Sequence, residues 1–144
     1  MLCAGNGVAC WMSRTHVRRA SRLVPDPFGP TQDTSAFRDG VYVTLRLTSS
    51  MYHRFHAPHD GRVEHVTYLS GDTWNVNPMA LARVERLFCR NERAVLRARL
   101  EVGGHSIALV PVAAILAASF SLCDGIVPGG RIAMGRALLR VPPT

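Results

Sequence analysis

The sequence lacks three features that would each define a class of protein. It contains no Cys-x-x-Cys pair, which would pre-form half of a zinc site, because its cysteines are widely spaced. They are Cys3, Cys10, Cys89 and Cys123. Its start has no basic residue before the apolar part and is interrupted by Gly5-Asn6-Gly7, so we expect no signal peptide. Its longest apolar run, Ile107–Phe120, is shorter than the roughly twenty residues of a membrane-spanning helix. These absences favour a reduced compartment and no transmembrane helix.

Lysine is missing as well, so all of the basic side-chain charge comes from arginine. The 17 basic residues outnumber the 10 acidic ones, which gives a net charge of +7. With 144 residues, of which 47% are hydrophobic, the chain is long enough for one domain with a core. Arginine suits phosphate contacts, and the charge permits nucleic acid or an anionic membrane surface as partner. No RNA-reading aromatic motif or helix-turn-helix pattern occurs, so we expect no nucleic acid.

The first 35 residues show neither a helical nor a strand period, and prolines interrupt their second half. We interpret residues 1–35 as a loose basic leader and residues 36–144 as the domain. A basic cluster within the leader, Arg14–Arg22, is either one face of a short helix or a solvated tail, and a tail is the commoner case.

Alternating apolar residues and turn signals predict four β-strands. The predicted strands are Val41–Leu47, Val63–Leu69, Leu96–Val102 and His105–Val110. Gly103-Gly104 separates the last two and is a glycine signature of a β-hairpin, so these strands should pair antiparallel. The predicted fold class is α+β, a mainly antiparallel β-sheet with short helices.

Helices are predicted in two segments. Pro78–Phe88 has apolar residues at helical offsets, with an asparagine before it as N-cap and proline at the first helical position. Arg131–Val141 is compatible with a short basic helix. The apolar run Ile107–Phe120 is interpreted as a buried strand broken near Pro111, with a buried helix or an interfacial segment as the alternative.

Two histidines stand three residues apart in the stretch Tyr52–Pro58. On a helix His53 and His56 would share a face, but Pro58 and the flanking strand signals favour a turn or bulge. For an isolated pair, the commoner arrangement is one satisfied, partly buried imidazole and one solvated imidazole. The alternative is that both side chains converge on a cleft.

A metal site is a further alternative for these histidines. His53, His56 and His59 recur at every third residue, and His65 or a cysteine would complete a ligand set. Pro58 breaks the helix that would align three imidazoles, and no acidic residue lies at a matching offset. We therefore expect no metal.

Three segments together resemble the phosphatidylserine decarboxylase family. They are Tyr52–Pro58, Gly71–Pro78 and Leu87–Arg93, within a similarity that covers about Phe37–Leu122. The resemblance implies conversion of phosphatidylserine to phosphatidylethanolamine and CO2 in phospholipid biosynthesis. It also implies a pyruvoyl cofactor, which the family makes by self-cleavage at the serine of a Gly-Ser-Thr motif and uses to withdraw electrons from the substrate.

Carried over residue by residue, the resemblance makes His56 the histidine of the self-processing triad and His53 a histidine acting in processing or decarboxylation. The cofactor's precursor serine is absent, because the chain has no Gly-Ser-Thr. Met134-Gly135 resembles the residues before the family's cleavage site, but no serine occurs in Arg136–Thr144. The family's upstream Asp segment has no counterpart before residue 37, and Met51 stands where many members have Asp.

These departures predict a truncated decarboxylase that is inactive as an isolated chain. The expected location is peripheral, at the cytoplasmic face of the membrane. The expected partners are phosphatidylserine or an anionic membrane surface and, as one option, a separate serine-bearing fragment. The alternative function is a non-catalytic basic β domain that binds anionic lipid surfaces.

The other matched residues are interpreted mainly as scaffold, that is, a buried aromatic side chain and hydrogen-bonded turn residues. They are Trp74, Asn75, Asn77 and Asn91–Arg93. The turn Asp60-Gly61 is also interpreted as structural. Three arginines would suit a lipid phosphate, although surface arginines are more often solvated. They are Arg54, Arg90 and Arg93.

Overall fold

A computed structural model describes residues 2–5, 15–19, 28–30, 32–37, 40–45, 55–114 and 120–140. The strands are β1 (Leu2–Gly5), β2 (Thr15–Arg19), β3 (Val41–Leu45), β4 (Phe55–His56), β5 (Gly61–Leu69), β6 (Arg93–Leu100), β7 (Ser106–Val110), β8 (Ser121–Leu122), β9 (Arg131–Ile132) and β10 (Ala137–Arg140). The helices are α1 (Pro78–Arg83) and α2 (Leu87–Arg90), and Ser35–Phe37 forms a 3-10 turn. No helix in these ranges is both long and apolar enough to cross a membrane.

The strands form two sheets. The larger has the order β2-β3-β1-β7-β6-β5-β9, and the smaller has the order β4-β10-β8. Each pair of neighbouring strands described is antiparallel. The predicted α+β fold with a mainly antiparallel sheet is confirmed.

Strand β6 lies within the larger sheet and is buried on both faces. Leu96 and Ala98 pack into one apolar cluster, whereas Val95 packs into another, because successive side chains of a strand point to opposite faces. Strand β7 divides its side chains in the same way. The first cluster takes in Ala57, Ile126, Ile132 and Leu138, and the second takes in Phe28 and Phe37. The small sheet therefore packs on one face of the larger sheet.

All four predicted strands are confirmed, with small differences at their ends. Strand β3 is described as far as Leu45, and residues 46 and 47 lie outside the described ranges. The predicted hairpin joins β6 to β7 through a turn over residues 101–104. Gly103 and Gly104 have φ angles of 69° and 61°, which glycine adopts without a steric penalty. Strand β7 ends at Val110, so the predicted break near Pro111 is also confirmed.

The predicted helix Pro78–Phe88 is correct only in its first half. Asn77 is its N-cap, and its side-chain oxygen accepts a hydrogen bond from Ala80 N at 2.7 Å. Helix α1 ends at Arg83, and Arg86 has a left-handed backbone with φ 55°. This break separates α1 from α2.

The helix suggested for Arg131–Val141 is wrong. The described part of this segment contains β9 and β10, separated by a turn in which Gly135 has φ 78°. Leu138 and Leu139 are both buried, and cross-strand pairing satisfies the backbone around them. Tertiary burial has therefore overridden the local pattern.

The predicted leader, residues 1–35, contains two described strands. Strand β1 pairs with β3 and β7, and β2 pairs with β3. The sequence did not indicate regular structure there. The domain boundary near residue 35 remains a prediction.

We expect Leu138→Ala to lower the free energy of unfolding by about 2–5 kcal/mol, because Leu138 is fully buried between the sheets. Urea unfolding followed by circular dichroism measures this change. Met134→Ala is the control, since Met134 is 66% exposed and its truncation should alter stability by less than about 0.5 kcal/mol. Equal effects of the two substitutions would contradict the burial of β10.

Candidate active site

His56 lies in β4, opposite the strand that follows Met134-Gly135, the pair that resembles the residues before the family's cleavage site. Its cross-strand partner in β10 is Ala137. The following residue, Ala57, donates from its backbone N to the carbonyl of Arg136 at 2.8 Å and accepts from Gly135 N at 2.9 Å. Antiparallel pairing therefore brings His56 next to residues 135–137, about eighty positions along the chain.

The residues beside His56 in sequence fix the position of β4. Phe55 and Ala57 both pack against the first apolar cluster, and Ala57 is buried. Because side chains alternate along an extended chain, His56 is directed away from this cluster, and it is half-buried. The strand is thus anchored on either side of the imidazole.

The turn before β10 is fixed by Asp60. Its carboxylate Oδ1 accepts a hydrogen bond from Met134 N at 2.7 Å, and Arg136 N donates to the carbonyl of Ala133 at 3.0 Å. The carbonyl of Asp60 also accepts from Glu101 N at 3.0 Å. These contacts agree with the structural interpretation of Asp60-Gly61, since the carboxylate and the carbonyl of Asp60 both accept hydrogen bonds from backbone N–H groups.

Arg136 follows Met134-Gly135, the pair that resembles the residues before the family's cleavage site. Its guanidinium donates to the carbonyl of Asp124 at 2.6 Å and to the carbonyl of Arg131 at 3.2 Å. The side chain therefore ties the turn at residue 124 to the turn before β10. The sequence showed that no serine occurs in residues 136–144, but the position of this segment beside His56 depends on a distant strand pairing.

The second predicted catalytic residue, His53, lies outside the described ranges, as does Arg54. Whether His53 and His56 share a concavity stays a prediction. His59 is half-buried, with Nδ1 3.4 Å from the carbonyl of Asp60, and His65 is exposed. Within the described ranges no three His, Cys, Asp or Glu side chains are grouped as a metal site.

A second structured feature lies in the connection between β5 and β6. We call residues 73–90 of this connection, which contain both helices, the 73–90 loop. Asp72 N donates to the carbonyl of Arg90 at 2.9 Å, and Glu92 N donates to the carbonyl of Asp72 at 2.8 Å. These bonds hold the two ends of the loop together. A side chain on Gly71 would collide with the backbone of Arg90 and Asn91 at this point.

Asn91 fastens the same loop from inside. It is fully buried, and its Oδ1 accepts from Trp74 N at 3.0 Å. Its Nδ2 donates to the carbonyls of Trp74 at 2.8 Å and Ala113 at 2.7 Å. One amide thus satisfies three backbone groups from two segments, which agrees with its interpretation as scaffold.

Two other interpretations are resolved by the same region. Trp74 is 45% exposed, so the expectation of a buried aromatic is wrong; its Nε1 donates to Asp72 Oδ2 at 3.0 Å instead. Arg93 is buried and donates to the carbonyls of Cys89 at 2.5 Å and Asn91 at 3.0 Å. The guanidinium of Arg93 therefore binds backbone carbonyls of the loop. Arg90, by contrast, is exposed to solvent.

Tyr68 and Glu92 form a polar contact beside this loop. The hydrogen bond from the Tyr68 hydroxyl to Glu92 raises the pKa of Tyr68 above its ordinary value, and partial desolvation and the carboxylate charge act in the same direction. The Tyr68 hydroxyl therefore stays protonated at neutral pH and acts as a donor to Glu92.

Comparison with known proteins supports one family. A family model described as phosphatidylserine decarboxylase matches residues 15–138. A protein of Idiomarina loihiensis named phosphatidylserine decarboxylase proenzyme is 40% identical over 107 residues, which cover 72% of this chain and 36% of that protein. The proteins of that name from Shewanella frigidimarina and Dickeya dadantii are 39% identical over 106 residues and 48% over 59. The first of these two matches covers 72% of this chain and 36% of the relative, and the second covers 41% and 19%.

The fold defines a mainly antiparallel α+β domain, and the matches assign it to a family of carboxy-lyases. The chain belongs to the phosphatidylserine decarboxylase family. It spans about a third of the length of the curated relatives that it matches over most of its sequence. The family match extends beyond the 37–122 region indicated by the motifs, and it includes Arg136.

We expect Asn91→Ala to lower the free energy of unfolding by about 1–3 kcal/mol, because it leaves buried backbone groups of Trp74 and Ala113 without partners. Hydrogen exchange should also accelerate at the Trp74 amide. Asn75→Ala is the matched control, since Asn75 is exposed and its Oδ1 accepts a single bond from Asn77 N. A control as destabilised as Asn91→Ala would argue against the role of burial.

Proposed function

We propose that this chain is a decarboxylase-family domain that associates with anionic phospholipid surfaces and does not by itself turn over phosphatidylserine. The observation that carries this proposal is the absence of the Gly-Ser-Thr motif, since no serine follows Met134-Gly135 in residues 136–144. These residues begin beside the predicted histidine, because His56 pairs with Ala137 and the carbonyl of Arg136 accepts from the backbone N of Ala57.

The pyruvoyl group implied by the family does not fit the residues of this chain. Its formation requires a serine hydroxyl to attack the preceding carbonyl. The chain has no Gly-Ser-Thr, and residues 136–144 contain no serine. A chain without this hydroxyl has no source of the ketone cofactor, so the family reaction is not expected from it.

A separate serine-bearing fragment would meet β4 at one of two edges. One edge of β4 is paired with β10, and a fragment that took the place of β10 would have to displace Leu138 and Leu139 from the core. In the described part of the smaller sheet β4 is an edge strand, so its other edge is open to an added chain. Adding such a fragment therefore tests a split enzyme.

Association with lipid is supported by the charge of the chain. Its net charge of +7 comes from arginine side chains, which form bidentate contacts with phosphate. Each basic residue near an anionic bilayer contributes about 1 kcal/mol of attraction at low salt. We infer a peripheral position at the cytoplasmic face of a membrane, with phosphatidylserine or another anionic lipid as the partner.

We expect the purified chain to show a single intact mass and to release no phosphatidylethanolamine from phosphatidylserine vesicles. Mass spectrometry and lipid chromatography test both statements, because self-processing would shorten the chain and turnover would change the headgroup. Turnover by the unaltered chain would refute the proposal. Turnover that appears only after adding a serine-bearing fragment would instead identify a split enzyme.

The double variant Arg136→Ser with Ala137→Thr tests the geometry behind this expectation. It places a Gly-Ser-Thr sequence beside His56, so slow cleavage after Gly135 would indicate that His56 activates a serine hydroxyl at this position. A variant with Arg136→Ala and the same threonine is the matched control, because it removes the guanidinium without adding a hydroxyl. Cleavage in both variants would exclude a serine-dependent reaction.

A further inference from the structure

Helix α1 exposes apolar side chains and buries none of its residues. Met79 is 62% exposed and Leu81 is 37% exposed, although both are large hydrophobic side chains. A helix in a globular domain normally turns an apolar face to the core. The apolar residues of α1 therefore face an environment other than the core of this domain.

The exposed apolar side chains of α1 lie on a loop with a defined structure, because hydrogen bonds hold the two ends of the 73–90 loop together. Backbone hydrogen bonds join Asp72 to Arg90 and Glu92, and the Asn91 side chain bonds both the N–H and the carbonyl of Trp74. The N-cap bond from Asn77 fixes the first turn of α1. The polar groups of the loop thus stabilise its form although α1 has no fully buried residue.

The same loop carries cationic and aromatic side chains. Arg83, Arg86 and Arg90 are exposed, and with the one acidic residue Glu85 they give residues 73–90 a net charge of +2. Two further carboxylates, Asp72 and Glu92, lie at the base of the loop, and Asp72 Oδ2 is 3.8 Å from Arg90 Nε. The guanidinium of Arg90 lies 5.9 Å from the centroid of the Trp74 ring. Exposed apolar residues beside arginine and tryptophan are the composition of segments that lie at a membrane–water interface.

We propose that the 73–90 loop is the membrane-docking element of this chain, with Met79 and Leu81 entering the interface of an anionic phospholipid bilayer and its arginines contacting the headgroup phosphates. The proposal rests on the lipid association proposed above and assigns it to one surface. Charge alone would also suit nucleic acid. Burial of exposed aliphatic side chains away from water is favourable, however, and a bilayer interface offers such burial whereas a phosphate backbone does not.

The test compares binding of the full chain to vesicles of equal parts phosphatidylcholine and phosphatidylserine and to vesicles of phosphatidylcholine alone. We expect Met79→Ser with Leu81→Ser to weaken partition to the anionic vesicles at least about tenfold, since the variant loses two aliphatic side chains that leave water on binding. The control, Val127→Ser with Met134→Ser, removes two apolar side chains that are 55% and 66% exposed outside the loop. It should bind within about twofold of the unaltered chain, as expected for side chains that stay in water.

Tryptophan fluorescence gives a second readout. In a Trp11→Phe background Trp74 is the remaining tryptophan, and its emission should shift to shorter wavelength on anionic vesicles. Circular dichroism and the unfolding midpoint should be unchanged in both serine variants, because the substituted residues are exposed.

The outcomes separate this inference from the proposed function. Equal binding by the loop variant and the unaltered chain would overturn the docking assignment and leave lipid association standing. A control that loses as much affinity as the loop variant would also overturn it. If the unaltered chain binds no anionic vesicles, or RNA displaces it from them, lipid association itself fails.

Discussion

The rest of the structure depends on the burial of side chains on both faces of the β6–β7 hairpin. One face of β6 is apolar throughout, whereas the other is apolar at Val95 and also carries Arg93, Arg97 and Arg99. Such apolar side chains are stable only when they are covered. The small sheet covers the first face, and the segment around Phe28 and Phe37 packs with Val95 on the second. The packing that stabilises the hairpin therefore also positions β4 and β10, the two strands that pair His56 with Ala137.

This arrangement separates the stability of the domain from the chemistry of its family. The strand pairing beside His56 depends on backbone groups and on buried leucines, neither of which requires a serine. Arg136 adds two hydrogen bonds to carbonyls of neighbouring turns. The fold around His56 is thus compatible with a chain that has no Gly-Ser-Thr.

Local patterns predicted the parts of the fold that depend on local physics. Alternation predicted β5, glycine chemistry predicted the β6–β7 hairpin, and Asn77 was recognisable as a cap because its bond spans three residues. Strand β10 was missed, because Leu138 and Leu139 are consecutive, and a run of that kind fits a helix as well as a strand buried on both faces. The sequence identified the types of residue at the candidate site. It did not predict the pairing of His56 with Ala137, because these residues are far apart in the chain and no local pattern indicates that they meet.

The closed base of the 73–90 loop has a consequence for the evolution of this domain. Because hydrogen bonds at Asp72 and Asn91 bring the ends of the loop together, the sheet is insensitive to the length of the segment between them. Loop-closure entropy grows slowly with length, so doubling such a segment costs only about 0.6 kcal/mol. The base can therefore accept insertions or deletions between Pro78 and Leu87, the part of the loop that lies between the two segments resembling the family, without loss of the β scaffold.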